Sequence, residues 1–409
     1  MIERKDYLDM LWAWKDEPVI KVISGIRRCG KSVLLKQYQE RLKAHGVPND
    51  QIIALNFEDL AYESLQDYRA LYQEIMNRLQ PGKKTYIFLD EIQKVSSFEK
   101  VVDSLYIQEN LDLYITGSNA YLLSGELATL LSGRYVEVSI LPLSFREYWQ
   151  MQDQPDAEKC LTEYMRTGAF PYVAALKGDE SRIDTYLEGI YNTIIIKDIE
   201  ERQRRRQPSA NSRKITDLAL LQNISRFLAG TIGSPVSVRN IANYITSSGR
   251  RVSPNTIDEY LTGLTEPFIF YPAARYDLPG KQVLKTMPKY YLADLGIRHY
   301  LLPRETYDLG FSLENIVFLE LKRRGYEITI GKIGTAEIDF VTRRLGLLYY
   351  FQVTASMIDP HTFEREISPL RKINDNYEKV ILTLDHFTPG NYDGIKVINI
   401  IDWLLNEKN

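Results

Sequence analysis

The spacing of apolar and polar residues divides the chain into an α/β first part and a more mixed second part. Segments with apolar residues at helical spacing, such as Leu34, Leu35, Tyr38 and Leu42, separate short apolar runs. The runs typical of buried strands are VIKVIS (19–24), IIALNF (52–57), TYIFLD (85–90), LDLYIT (111–116) and YVEVSI (135–140). This alternation predicts a parallel sheet flanked by helices over residues 1–142.

The strand pattern stops after Pro142, and residues 143–207 have the pattern of helices. One apolar stripe consists of Ile183, Leu187, Ile190 and Ile194. We interpret this segment as a helical lid or connector. The stretch from Glu200 to Arg213 combines a charged run with Pro208, Ser209 and Asn211, which predicts a linker there.

Residues 208–300 fit a winged helix-turn-helix. Ser253 can cap a helix whose first residue is Pro254, a position where the missing N–H of proline has no partner to lose. A strand at 268–275 and a shorter one near 282–284, joined by a Pro-Gly turn, would form the wing.

A third unit of α/β type is predicted over residues 301–409. A helix from Leu313 precedes three strands, at 327–330, 337–342 and 347–353.

Composition and charge narrow the class of protein. No apolar stretch approaches the ~18 residues of a membrane helix, and the N-terminus lacks the pattern of a secretory signal, so we expect a cytoplasmic protein without a membrane partner. The two cysteines, Cys29 and Cys160, cannot form a disulfide framework. The net charge of -3 does not indicate nucleic-acid binding by the whole chain, so a basic surface would have to be local.

The segment GIRRCGKS fits the P-loop pattern G-x-x-x-x-G-K-[ST] between a predicted strand and a predicted helix. Gly25 and Gly30 permit a tight loop whose N–H groups bind phosphates, Lys31 would reach the β and γ phosphates of ATP, and Ser32 would bind Mg²⁺. The residues assigned to nucleotide binding are Gly25, Ile26, Arg27, Arg28, Cys29, Gly30, Lys31, Ser32 and Val33. Cys29 is interpreted as a small filler rather than a nucleophile.

An acid pair follows the apolar run TYIFL at the predicted carboxyl edge of the sheet, where ligands of such sheets bind. We assign Asp90 to Mg²⁺ and Glu91 to the general base that polarises the attacking water.

Two further positions are candidates for the hydrolytic reaction. Ser118 or Asn119, after the strand LDLYIT, would contact the γ-phosphate or the water, or would simply cap the next helix. Arg134 would stabilise charge in the transition state, from the same or a neighbouring subunit, or form a surface ion pair.

Several motifs together resemble one family, the predicted AAA+ superfamily ATPases of bacteria and archaea. The motifs are GIRRCGKS, LDEIQ, TGSN, SGRYVEVSILPLSFREY, GAFP, IKDI, KYYLADLG and EIDF. The resemblance implies a P-loop ATPase domain of the AAA+, additional-strand type, followed by a winged helix and a restriction-endonuclease-like C-terminal domain.

The C-terminal motifs depart from those of active nucleases of that type, which place an Asp on one strand and Glu-x-Lys on the next. Glu337 and Asp339 share a strand face, and Glu314 or Glu320 could add a carboxylate. In the next strand the family's Glu and Lys positions hold Gln352 and Thr354. Lys322 or Lys332 could replace the lysine, but the residues favour a degenerate, binding-only domain.

Three hypotheses of function remain. The first is an ATP-hydrolysing switch that contacts nucleic acid or protein, either as a monomer or as a homo-oligomer. Candidate nucleic-acid contacts are the winged helix and the run Arg202–Arg206, although acidic residues in the recognition helix favour protein contact, and the arginines fit a solvated helix end as well. The others are an ATP-dependent nuclease and an interaction module that holds ATP as a structural ligand.

Overall fold

The computed structural model describes seven stretches of the chain, which fall into two compact units. The stretches are residues 2–117, 133–153, 155–194, 217–247, 249–302, 308–386 and 390–406. Unit 1 comprises Met1–Pro142 and Glu266–Phe268, and unit 2 comprises Leu143–Thr265 and Ile269–Asn409.

Unit 1 contains a five-stranded sheet with helices between successive strands. Its strands are β1 (Ile20–Ser24), β2 (Ile52–Asn56), β3 (Thr85–Asp90), β4 (Leu111–Gly117) and β5 (Tyr135–Ser139). Its α-helices are α1 (Lys5–Ala13), α2 (Lys31–Ala44), α3 (Tyr68–Arg78) and α4 (Phe98–Tyr106), with short 3-10 turns at Asn49–Gln51, Leu60–Gln66 and Ile92–Lys94. These strands match the five apolar runs of the sequence to within two residues.

The strands of this sheet run parallel in the order β2-β3-β4-β1-β5. Strand β4 therefore lies between β1, which leads into the Gly-rich loop, and β3, which ends in Asp90. Both faces are covered, and the core includes Val22, Leu55 and Leu89. Because all strands are parallel, their carboxyl ends meet at one edge, where the loops that follow them converge.

Unit 2 begins with helices, and further helices lie between and after the strands of its sheet. They are α5 (Phe145–Met151), α6 (Ala157–Thr167), α7 (Pro171–Ala175), α8 (Glu180–Thr193), α9 (Leu218–Gly230), α10 (Val238–Ser247), α11 (Pro254–Thr265), α12 (Leu295–Leu301), α13 (Leu309–Arg323), α14 (Pro360–Arg371) and α15 (Ile400–Leu405). The first begins at a capping box, in which Ser144 and Glu147 each accept a hydrogen bond from the other's backbone N–H.

Unit 2 also contains a mixed sheet of eight strands, in the order β12-β13-β11-β10-β9-β8-β6-β7. The strands are β6 (Phe270–Asp277), β7 (Gln282–Leu292), β8 (Glu327–Ile333), β9 (Ala336–Arg344), β10 (Leu347–Thr354), β11 (Glu378–Thr383), β12 (Asn391–Tyr392) and β13 (Ile395–Asn399). Strands β8, β9 and β10 are antiparallel neighbours, whereas β10, β11 and β13 are parallel.

The hairpin predicted as a wing is larger than the sequence indicated. Its second strand runs over Gln282–Leu292, and its first strand also pairs in parallel with β8. Residues assigned separately to 208–300 and 301–409 thus share one sheet. Pro288 and Lys289 interrupt the apolar pattern of β7, which explains why the sequence predicted only a short strand there.

Two of the motifs behind the family resemblance pack against each other in unit 2. The carboxylate of Asp294, in ADLG, accepts hydrogen bonds from the N–H groups of Ala169 at 2.5 Å and Gly296 at 2.8 Å. A Cβ at Gly168, whose φ is +85°, would lie 2.1 Å from Asp294 Oδ1. The motifs GAFP and ADLG therefore join α6 and α7 to α12, and in these contacts they have a packing role.

Within the described stretches of both units, the helices are too short or too polar to cross a membrane.

Candidate nucleotide-binding site

The loop between β1 and α2 requires glycine at two positions. Gly25 has φ +147°, and a Cβ there would lie 2.2 Å from the carbonyl oxygen of Ile140. Gly30, the residue before α2, has φ +106°. Side chains rarely adopt such φ values, so these glycines let the backbone turn closely enough to present the N-terminus of α2 to an anion.

Lys31, the first residue of α2, is 4% exposed. Its ammonium donates hydrogen bonds to the carbonyl oxygens of Gly25 at 3.1 Å and Ile26 at 3.4 Å. It also lies 3.7 Å from Glu91 Oε1. A buried cation that is held by carbonyl groups at the N-terminus of a helix is positioned to bind a phosphate.

Asp90 ends β3 with 6% of its surface exposed, and two hydroxyl groups hydrogen-bond to its carboxylate. They belong to Ser32 and Thr116. Burial raises the pKa of Asp90 above its usual range, and the two hydrogen bonds oppose that shift. The pairing brings the Ser32 hydroxyl and a carboxylate together, and these hard oxygen donors fit Mg²⁺.

Glu91 is 7% exposed and has a left-handed backbone conformation, with φ 54° and ψ 46°. This conformation is costly for a residue other than glycine, and such strain often occurs at functional sites. Its side chain lies near Lys31 and accepts a hydrogen bond from the Gln93 amide. The carboxylate of Glu91 is therefore held beside the Gly-rich loop. A group that orients water for attack on a phosphate must lie at such a position.

Thr116, near the end of β4, was not identified from the sequence. Its hydroxyl donates to Asp90 and accepts a hydrogen bond from the Glu91 N–H at 2.9 Å, so it fixes both acids at once. The residue has no exposed surface. One sequence signal could have identified Thr116: it lies two residues before Ser118, at the end of a predicted strand of the same sheet.

Arg4 was not identified from the sequence either, because it lies in a charged run that is typical of an exposed segment. The residue is 3% exposed. Its guanidinium donates to the carbonyl oxygens of Cys29 at 3.1 Å and Leu141 at 3.1 Å. It therefore ties the Gly-rich loop to the segment that follows β5.

The other loop residues differ in exposure and contacts. Ile26 and Cys29 have no exposed surface, and burial raises the pKa of the Cys29 thiol, which fits a filler better than a nucleophile. Arg27 lies 3.9 Å from Glu58. Arg28 is exposed with φ 66°, and Val33 is half-buried in the first turn of α2.

Arg134 lies away from this edge of the sheet. Its carbonyl accepts from the N–H of Ile20 at the start of β1, and its guanidinium pairs with Asp103 at 2.6 Å. The loop follows the other end of β1, about 16 Å away at ~3.3 Å per residue. This position does not support action of Arg134 within its own subunit, which stays a prediction. Ser118 and Asn119 lie outside the described residues.

The chain is similar to known proteins over nearly its whole length. Residues 17–149 match an AAA domain, and residues 158–308 match a domain of unknown function, DUF8612. An uncharacterized protein of Haemophilus influenzae is 42% identical, with 99% of each chain covered. An uncharacterized protein of Methanocaldococcus jannaschii is 27% identical, over 94% of this chain and 88% of that one.

Solved structures with some likeness include a Walker-type ATPase of Pyrococcus abyssi. It is 16% identical and has a TM-score of 0.47, over 74% of this chain and 96% of that chain. The ORC1 protein of Aeropyrum pernix in complex with DNA is also 16% identical, with a TM-score of 0.29, over 74% and 92%. From its near full-length match, the chain belongs to the family of the Haemophilus influenzae protein, and it carries an AAA domain over residues 17–149.

Proposed function

We propose that the protein binds Mg·ATP at the Gly-rich loop and hydrolyses it. The observation that carries the proposal is the arrangement of Lys31, Asp90 and Glu91. A single hydroxyl, that of Thr116, holds both acids, and Glu91 lies 3.7 Å from the lysine. An arrangement that only retained ATP would have no need for a fixed carboxylate beside the phosphate-binding lysine.

Each residue has a distinct role in this proposal. The N–H groups of the loop and Lys31 bind the phosphates of ATP. Ser32 and Asp90 would hold Mg²⁺, which offsets the negative charge of the phosphates when bound. Glu91 orients a water molecule and accepts its proton. Ser118 stays a prediction for contact with the γ-phosphate.

We propose further that nucleotide state controls binding of a nucleic acid or a protein by unit 2. The succession α9, α10, α11 and the hairpin β6–β7 supports a winged helix-turn-helix. Arg251 and Lys281 are exposed, as phosphate contacts would be, whereas Arg250 pairs with Asp217. The exposed Asp258 on α11 favours a protein partner instead. The run Arg202–Arg206 lies outside the described residues.

The order of elements in the C-terminal part supports a restriction-endonuclease-like domain. Helix α13 is followed by the antiparallel strands β8, β9 and β10, then by α14 and the parallel strand β11. This topology, together with Glu314, Glu337 and Asp339, is what favours the second candidate, an ATP-dependent nuclease. The side chains of Gln352 and Thr354 favour a domain that has lost cleavage.

The test is the rate of ATP hydrolysis by the purified full chain, alone and with duplex DNA, single-stranded DNA or RNA. We expect Mg²⁺-dependent hydrolysis that Lys31→Ala abolishes, and a change in rate with the polymer that unit 2 binds. A folded protein that binds ATP but releases no phosphate under any of these conditions would contradict the ATPase proposal. A rate that no polymer changes would favour a protein partner.

A further inference from the structure

A buried lysine lies among carboxylates in unit 2, far along the chain from the nucleotide-binding residues. Lys289, in β7, is 2% exposed. Its ammonium pairs with Glu337 in β9 at 2.7 Å and with Glu314 in α13 at 3.0 Å. The hydroxyl of Tyr291 donates to the same oxygen of Glu314 at 2.6 Å. Strands β7 and β9 and helix α13 thus bring two carboxylates into contact with one ammonium group.

Asp339 adds a third carboxylate to this group. It lies two residues from Glu337 on β9 and therefore on the same face of the strand. Its Oδ2 accepts a hydrogen bond from the N–H of Val353 at 2.8 Å. Burial, followed by the charge of Glu314, raises the pKa of Asp339 well above its usual range, and Lys289 opposes that rise.

The charge of Lys289 is stabilised by its neighbours. Burial alone would lower the pKa of the ammonium, but Glu314, Asp339 and Glu337 outweigh burial and raise this pKa above its usual range. The lysine is therefore charged at neutral pH. A buried ammonium that loses its carboxylates, or carboxylates that lose their ammonium, would be strongly destabilised.

Gln352 and Thr354 occupy the two positions at which active nucleases have Glu and Lys, and both side chains form hydrogen bonds. The Gln352 amide donates to Glu366 at 2.7 Å and accepts from the Asp339 N–H at 3.3 Å. The Thr354 hydroxyl donates to the carbonyl of Ser356 at 3.1 Å. Neither side chain adds a charge to the group of acids, so the positive charge comes from Lys289.

We propose that Lys289 is the permanent internal cation of a carboxylate cluster formed by Glu314, Glu337 and Asp339, in place of the divalent metal ion that a nuclease of this topology binds. The donor set does not fit a resident metal, because an ammonium already lies between two of the acids and would repel a divalent ion. Removing the lysine should leave Glu314 and Glu337 without their cation, and a divalent ion that takes its place would displace a proton from Asp339. The cluster is thus a latent metal site, and this inference does not depend on ATP hydrolysis in unit 1.

The experiment is a titration of nucleotide-free full-length protein with Mn²⁺, in which the loss of the free-ion EPR signal counts bound equivalents. The variants are Lys289→Met, Lys289→Met with Asp339→Asn, and Lys281→Met as a control at the exposed residue that precedes the same strand. We expect Lys289→Met to bind one equivalent more than the wild type. Its affinity should be roughly 100-fold or more above any residual binding at the cluster, because a unit charge ~4 Å away repels the ion strongly. The double variant should lose that equivalent, and Lys281→Met should match the wild type.

Equal numbers of bound ions in wild type and Lys289→Met would overturn the proposal. Lys289→Met could fail to fold, because it leaves buried carboxylates without a cation. In that case wild type is compared with Asp339→Asn. Loss of a bound equivalent on this substitution shows a metal at the cluster and refutes the inference, whereas an unchanged number supports it. Thermal unfolding of Lys289→Met at increasing Mn²⁺ gives a second readout, since Mn²⁺ should raise its midpoint and leave that of the wild type unchanged.

Discussion

Glu91 and Thr116 show how single side chains prepare the proposed site. Glu91 takes a left-handed backbone conformation directly after β3, which no regular strand or helix would impose. The hydroxyl of Thr116 bonds to its N–H at 2.9 Å and stabilises that turn. The position of the proposed base, Glu91, thus depends on Thr116 in the neighbouring strand β4. This residue belongs neither to the Gly-rich loop nor to the acid pair.

Replacing Thr116 tests this dependence. Thr116→Val keeps the shape but leaves the N–H of Glu91 without the hydroxyl, which should cost about 1–3 kcal/mol of stability. We expect kcat for ATP hydrolysis to fall by about 10-fold or more, with ATP affinity changed much less. Thr116→Ser is the matched control, because it retains the hydroxyl. Equal kcat values for the two variants would show that the hydroxyl does not position the acids.

At the scale of elements, the segment before α1 is joined to the nucleotide loop through Arg4. Gln37, in α2, donates to the carbonyl of Ile2 at 2.7 Å and accepts from the Arg4 N–H at 3.3 Å. The guanidinium of Arg4 reaches the carbonyls of Cys29 and Leu141. The loop is thus held from the N-terminal segment and from the segment after β5, as well as by its own glycines.

We expect Arg4→Ala to weaken binding of a fluorescent ATP analogue by about 10-fold and to lower the free energy of unfolding by roughly 1–3 kcal/mol, because buried carbonyl groups lose a charged donor. Arg4→Lys should be intermediate, since an ammonium keeps the charge but lacks the planar fork. Arg69→Ala, at an exposed position of α3, is the control. Wild-type affinity in Arg4→Ala would assign Arg4 to folding alone.

The elements of unit 1 were predictable because each strand is an apolar run bounded by loops. All five runs became strands, and the Gly-rich loop and the acid pair lie at one edge of their sheet. In the C-terminal part, the strands near 327, 337 and 347 were also predicted. The local apolar pattern was sufficient for these strands, including β2 and β5, which are only partly buried.

Contacts between distant residues were not predictable. Arg4, Thr116 and Lys289 each form buried polar contacts with residues 25 or more positions away, and single charges or hydroxyl groups leave no periodic signal. The length of β7 was missed because Pro288 and a buried lysine interrupt it. Arg134 directly precedes β5, so the direction of this parallel strand puts it at the edge of the sheet opposite the Gly-rich loop.

At the scale of the whole molecule, Arg134 is a candidate for contact between subunits. Its side chain is 40% exposed, and it lies at the end of β1 opposite the Gly-rich loop of its own subunit. We expect inactive Arg134→Ala and inactive Lys31→Ala proteins to regain part of the ATPase activity when mixed, because one interface would pair an intact loop with an intact arginine. Mixed activity equal to the sum of the two alone, or no ATP-dependent association in sedimentation, would rule out this role.

The carboxylate cluster leads to a prediction about nucleic acid. Because Gln352 and Thr354 replace the charged residues of active nucleases, we expect no cleavage of linear, supercoiled or single-stranded DNA, or of RNA, at stoichiometric protein with Mg²⁺ or Mn²⁺, with or without ATP. Agarose and denaturing gels provide the readout. Cleavage by the purified protein that Asp339→Ala removes would establish the nuclease hypothesis instead.

Single-turnover hydrolysis of ATP by Glu91→Gln, with enzyme in excess, tests the central claim most directly. The amide keeps the size of the side chain but cannot take the proton from water, so hydrolysis should slow by about 10²–10⁴-fold. Binding of the ATP analogue should stay near that of the wild type, whereas Lys31→Ala should lose binding itself. A folded Glu91→Gln protein that hydrolyses ATP at the wild-type rate would contradict the proposed site.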